Sequence, residues 1–191
     1  MNDWPAECDV AFKEWASICT ALAAGRQTII LRKGGIDEGR SGFRVAHDHF
    51  WIYPTNFHQT AEQLKPAGTE LMEAARELKS PAGQIALRLF AQVIEVHELV
   101  SEKAVARLAR FHHWSAATAA ARFHYRRPGL LVLLTRIYSR PEPVLLTESA
   151  DMVGCKSWVH LPESLATAGV APVLADDEFA RQAAAIRAAL A

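Results

Sequence analysis

The chain has 191 residues, half of them apolar, and its 21 basic and 21 acidic side chains cancel to a net charge of zero. That length and apolar content suffice for one compact domain that buries its own core without a disulfide or metal staple, and the zero net charge argues against a protein coated in positive charge. Cys8, Cys19 and Cys155 show neither a disulfide framework nor a zinc-ligand spacing. The opening residues MNDWP carry no basic or apolar leader, and no apolar run approaches the ~20 residues that span a bilayer. The expectation is a single domain over residues 1–191, cytoplasmic, with no membrane attachment and no cofactor.

In chain order, Val10, Phe12, Trp15, Ile18, Cys19 and Leu22 recur at helical spacing and predict a helix over Asp9 to Ala24, stopped by Gly25. Gln27 to Lys33 holds a β-branched run bounded by turn residues, the pattern of a strand. Residues 34–42, GGIDEGRSG, are too glycine-rich for the interior of an element and read as a loop. Extended structure is expected from Phe43 to Tyr53, where Phe50 to Pro54 reads as core and strand end rather than as a stacking platform. A helix follows from Thr69 to Lys79, and then one long or bent strand from Ile85 to Leu99, with a helix as the alternative. Ser101 and Ser115 stand where helix caps belong, for helices reaching Arg110 and about Arg126. Beyond the break at Pro128-Gly129, strands are expected at Leu130 to Tyr138 and Lys156 to Leu161, and an amphipathic helix at Asp177 to Leu190. About five strands without regular strand–helix alternation imply an α+β fold, a small, curved, mainly antiparallel sheet or barrel with helices packed around it.

Charge is distributed unevenly. No acidic residue occurs from Lys103 to Pro141, a segment that holds Arg107, Arg110, Arg122, Arg126, Arg127, Arg136 and Arg140 with Phe111, Trp114, Phe123 and Tyr125 interleaved. The excess is answered afterwards by seven acidic residues, from Glu142 to Glu178. Arginine beside aromatic rings is the composition of a single-stranded nucleic-acid site, with guanidinium groups for phosphate and rings for bases. The competing reading pairs these arginines internally with the acidic tail and with the glutamates of the Glu95 to Glu102 stretch. Arg32 and Lys33 precede Gly34-Gly35, a turn whose main-chain N–H groups could cradle an anion, or a plain exposed hairpin turn.

His47-Asp48-His49 on an extended segment puts both imidazoles on one face, with His58 a short turn later. Three histidines could hold a divalent metal. Equally, His47 or His58 could act as a general base near Arg32 and Arg44, or the histidines could simply be hydrogen-bonded. No Gly-x-Ser-x-Gly nucleophile motif is present. The leading expectation is a domain that binds single-stranded or modified bases, with Arg32, Lys33 and Arg44 on phosphate from one side and Arg122, Arg126 and Arg136 from the other. Its partner would be nucleic acid or another phosphate-bearing ligand. The alternatives are a nuclease or phosphodiesterase using His47, His49 and His58, on a metal or directly, and a protein–protein interaction module.

Five segments carry a resemblance: Lys13-Glu14-Trp15, QTIILRKGGI from Gln27 to Ile36, FWIYPTNFHQ from Phe50 to Gln59, Leu64-Lys65-Pro66, and Gly154 to Val159. Together they resemble the bacterial family catalogued as domain of unknown function 1802, over nearly the whole chain. That resemblance implies no particular reaction. It points toward nucleic-acid work, with a restriction-modification partner protein, in a bacterial defence or modification system. A second likeness concerns the fold. Gly25 to Arg32 is similar in spacing to the Gly-x-Lys-x-x-Glu-x-Arg signature of ASCH domains, which are PUA-like barrels that commonly bind RNA or modified bases. Gly25 and Arg32 match that signature, whereas Gln27 and Ile30 depart from its lysine and glutamate, which puts any catalytic role of those positions in doubt.

Overall fold

The computed structural model describes residues 4–33, 45–77 and 80–191. Its first element is a strand, β1 (Glu7–Trp15), and the first helix, α1 (Ala16–Ala23), begins only afterwards. This corrects the helix expected over Asp9 to Ala24. Every residue from Val10 to Trp15 is buried, and a short strand covered on both faces lacks the in–out alternation that would distinguish it from a buried helix. Partners elsewhere in the chain decide the matter. β1 runs parallel to β3 (His49–Thr55), with Ala11 opposite Trp51, and antiparallel to β6 (Trp158–Ala166), with Ala11 opposite Val159.

The remaining elements are β2 (Ile29–Arg32), α2 (Pro66–Glu77), β4 (Gln84–Leu99), α3 (Glu102–Arg107), α4 (Ala116–His124), β5 (Leu130–Thr147), β7 (Ala171–Pro172) and α5 (Asp176–Leu190), with three short 3-10 turns between them. The seven strands among the described residues form one sheet in the order β2-β5-β4-β3-β1-β6, with β7 on β5. Every pair except β1–β3 is antiparallel. The sheet does not close into a barrel, and the fold class is α+β, as the element pattern implies. The spine of the sheet is the β4–β5 ladder, from Gln84 opposite Thr147 to Leu99 opposite Leu130. Its register shifts between Leu87 and Leu89 and between Val93 and Glu95, and such bulges bend and twist a strand pair. The first shift accommodates Pro141 and Pro143, which lie within β5 although proline cannot donate to a ladder.

Both serine caps form: Ser101 Oγ accepts from Ala104 N at 3.2 Å and Ser115 Oγ accepts from Thr118 N at 3.2 Å. The helices they start are shorter than expected, α3 ending at Arg107 and α4 at His124. The glycine-rich loop, Phe43, Arg44 and Lys79 fall outside the described residues. Gly25 has φ +66, a backbone conformation that favours glycine, and a Cβ there would also displace the end of the Leu174 side chain, 2.4 Å away. Among the described residues no helix is long and apolar enough to cross a membrane.

The core is aromatic at its centre. Phe12 meets Phe50 at 5.2 Å between ring centroids, Trp51 meets Phe90 at 5.1 Å, and all are fully buried. Trp51 Nε1 also donates to the Cys8 carbonyl at 3.1 Å, joining β3 to β1 through a side chain. Replacing Trp51 with alanine is expected to remove both the ring and this bond, destabilising the fold by about 3–5 kcal/mol. The urea midpoint measures it, and a loss under about 1 kcal/mol would contradict this packing.

His112, buried before Trp114, is pushed down to about 3, chiefly by burial, with the nearby Lys65 and His113 charges adding. It is therefore neutral in the fold and takes up a proton on unfolding. Because its folded value lies below the ordinary 6.5, stability is lost as pH falls from about 6.5 toward 3, with a slope of up to about 1.4 kcal/mol per pH unit from this group. His112→Phe is expected to flatten that limb in urea titrations between pH 7 and pH 4. Equal slopes for the two proteins would refute the assignment.

Candidate functional site

Where β1, β2 and β3 end together, a cleft of about 270 Å³ opens between them, α4 and the turn from Gly154 to Ser157. β1 supplies Lys13, Glu14 and Trp15 to its floor, and the main chain fixes their height: Lys13 N donates to Ser157 O at 2.8 Å, tying the turn to the strand. Lys13 Nζ donates to the Gly154 carbonyl at 3.0 Å and sits 5.2 Å from the Tyr53 ring centroid. Burial pushes the Lys13 ammonium down, with Glu148 and Cys155 opposing that shift and Lys156 reinforcing it. The Tyr53 hydroxyl donates to the Glu148 carboxylate, and burial together with that bond raises the phenol well above its usual range.

Glu14 is 3% exposed, and Trp15 N donates to its Oε1 at 2.7 Å. Burial raises its carboxyl above the ordinary value, and Arg32 and Arg122 pull it back. Neither arginine forms a direct ion pair with it. The Arg32 guanidinium donates from Nη2 to the Lys13 carbonyl and lies 4.2 Å from the Phe12 ring centroid. Arg122, on α4, lies 5.9 Å from the Trp15 ring, and burial, with Arg32 adding, lowers its proton affinity. Aromatic walls complete the cleft: Trp15 and Trp114 have ring centroids 5.8 Å apart, with Phe57 and Tyr125 toward solvent.

The expected site residues distribute as follows. Arg32, Lys33, Arg122 and His58 all line this cleft. Arg126 is exposed beside it, its guanidinium 5.2 Å from the ring of the lining residue Tyr125. Arg136 is not part of the cleft. It forms an ion pair with Asp176 and lies 5.0 Å from the Phe179 ring, so it joins β5 to α5. Arg44 lies outside the described residues.

Lys33 has structural work as well, since its Nζ donates to the carbonyls of Phe123 (3.2 Å), Gly129 (2.6 Å) and Arg127 beyond the end of α4. A cation there satisfies orphan carbonyls and the negative end of the helix.

The three histidines go to three places. His47 packs on Trp158 and His160, at 5.2 and 6.3 Å between centroids. His49 stacks on Phe90, with Nδ1 2.9 Å from Asp48 Oδ1. His58, at φ +59, reaches the cleft, where its Nε2 is 4.0 Å from Cys155 Sγ. Shared coordination by His47, His49 and His58 is thereby ruled out, and no group of three His, Cys, Asp or Glu among the described residues could hold a metal ion. Gln27, at the position of the ASCH lysine, donates to Ile29 O at 2.8 Å and accepts from His113 N at 3.1 Å, a bracing role.

Lys13, Glu14, Cys155 and Lys156 do not figure among the expected site residues, whereas Trp114 is one of the rings interleaved in the basic segment. The helical spacing of their segment hides Lys13 and Glu14. A signal exists, however, in the five segments of the family resemblance. Four of them line the cleft directly, and the fifth reaches it through a bridge between Leu64 and Trp114.

Lys33→Met is expected to lower stability by about 1–2 kcal/mol, because carbonyls at the end of α4 lose a charged donor. Differential scanning calorimetry measures it, and an unchanged Tm would mean that water replaces the ammonium without loss.

The family model described as Domain of unknown function (DUF1802) matches residues 11–185. No curated protein matches the chain. Solved structures similar to it include a point mutant of the ZmASCH protein from Zymomonas mobilis, at 13% identity over 95% of this chain and 98% of that one, with a TM-score of 0.47. ASCH from Zymomonas mobilis is similar at 13% identity over 92% and 93% of the two chains, with a TM-score of 0.45. With a match over most of its length, this chain belongs to the DUF1802 family.

Proposed function

We propose that this chain binds single-stranded nucleic acid through the cleft, taking single or modified bases into it. The observation that carries this reading is the convergence of Lys13, Arg32, Arg122 and Lys156, from four separate parts of the sequence, with Trp15, Phe57, Trp114 and Tyr125 around one opening. Phosphates would meet the cations, and bases would stack on the rings, a contact worth about 1–3 kcal/mol per base. Internal pairing does not account for this charge: the tail helix answers Arg136 through Asp176, away from the cleft. A cytoplasmic setting, and work beside restriction or modification proteins in a bacterial defence system, belong to the same proposal.

A histidine-based phosphodiesterase is the second reading, favoured by the place of His58 in the cationic cleft. It would show as cleavage of an end-labelled RNA that His58→Ala abolishes while binding persists.

Binding to octauridylate, followed by fluorescence anisotropy, is expected to weaken linearly on a log–log salt plot, with a slope of roughly −2 if three phosphates are held, at about −0.7 each for a single strand. Arg122→Ala with Lys156→Ala should weaken binding to every sequence and reduce the slope by roughly 1–1.5, with an unchanged circular dichroism spectrum. No binding of any single strand at low salt would end the nucleic-acid reading.

A further inference from the structure

Phosphate binding leaves Glu14 unexplained. A carboxylate at the floor of a cationic cleft weakens the field that attracts phosphate, and at 3% exposure it has also lost most of its water. Among the described residues it makes one hydrogen bond, from Trp15 N to Oε1, and no ion pair. Arg32 is committed to the Lys13 carbonyl and the Phe12 ring, and Arg122 lies by the Trp15 ring. Burial raises this carboxyl, and Arg32 and Arg122 oppose the rise from a distance rather than by contact. An ionised carboxylate accepts about four hydrogen bonds, so most of its acceptor capacity is unused. Burying such a group is unfavourable, and local exceptions of this kind collect at binding sites.

A carboxylate only accepts, and its two oxygens are spaced to take a parallel pair of N–H donors. Guanine presents such a pair, N1–H beside N2–H. Adenine and cytosine each present one amino group beside a ring-nitrogen acceptor, which would face the second oxygen. Uracil and thymine present a single N–H between two carbonyls. We propose that Glu14 reads a guanine seated in the cleft, accepting from N1–H and N2–H while the Trp15 and Trp114 rings pack against the base. This rests on the nucleic-acid reading above and adds to it a choice of base. The cations would act on any sequence, and the carboxylate would supply the discrimination.

The test uses uridine octamers carrying one central guanine, inosine, adenine or cytosine, with octauridylate as reference, titrated at low salt against the full chain and against Glu14→Gln. The wild type should bind the guanine octamer roughly tenfold or more tightly than the adenine, cytosine and all-uridine octamers, the scale of one good bidentate base contact. Inosine, which keeps N1–H and lacks the 2-amino group, should fall between them. Glu14→Gln should bring guanine close to the other bases, with octauridylate affinity held or increased. Equal binding of all octamers by the wild type would overturn the guanine assignment and leave nucleic-acid binding standing, whereas no binding at all would overturn both. A guanine preference that survives in Glu14→Gln would remove Glu14 from the role. If that variant fails to fold, the inosine result on the wild type decides, since inosine bound as well as guanine contradicts a two-donor contact.

Discussion

Strand β1 is hydrogen-bonded along both edges, parallel to β3 on one side and antiparallel to β6 on the other, and the cleft depends on that placement. A strand paired along both edges and buried on both faces cannot shift by one residue without exchanging the side chains that pack on each face. The register therefore sets which way Lys13, Glu14 and Trp15 project at the strand's end. The same short stretch binds its neighbours through its main chain: Lys13 N holds the Ser157 carbonyl, and the Lys13 carbonyl receives the Arg32 guanidinium. Two walls of the cleft are thus attached to one residue. The aromatic packing beneath, Phe12 on Phe50 and Trp51 on Phe90, keeps that end of the sheet from relaxing around the charges above it.

Zero net charge conceals a division of labour among the cations. Arg136 and Arg187 face acidic partners, Asp176 and Glu95, and serve to hold α5 against the sheet. His124 meets Glu102 across α3 and α4 at 2.9 Å. Arg32, Arg122 and Lys13 are arranged differently: they touch rings and carbonyls, and Glu14 and Glu148 act on them without an ion pair. Burial away from water raises the energy of these cations, as the lowered proton affinities of Lys13 and Arg122 indicate, with Arg32 adding to the effect at Arg122. An anionic ligand would relieve that strain, and a fold with no such ligand would gain from trading these cations for apolar groups.

Several residues also serve the fold, Lys33 among them although it lines the cleft. Lys33 closes the end of α4, Gln27 braces the main chain at Ile29 and His113, and Gly25 supplies the positive φ of the turn after α1. Lys33 follows Arg32 directly and holds the carbonyl of Phe123, the residue after Arg122.

Features decided by near neighbours in the chain were legible in the sequence. The β-branched run at Ile29–Arg32, the serine caps of α3 and α4, the break at Pro128-Gly129 and the acidic start of α5 depend on residues a few positions apart, whose preferences act before any tertiary contact forms. The basic segment was legible too, and so was the possibility that Arg32 and Arg122 act together. Tertiary structure alone made β1 a strand, since a run buried without a break from Val10 to Trp15 has no strand periodicity of its own and takes its conformation from the strands at its edges. It also sorted the arginines, sending Arg136 to the tail helix and Arg122 to the cleft, and it dispersed the histidines. The bond from Lys13 to Gly154 spans 141 positions. A site assembled across such separations is decided by which surfaces the folded sheet brings together, and no local pattern records that.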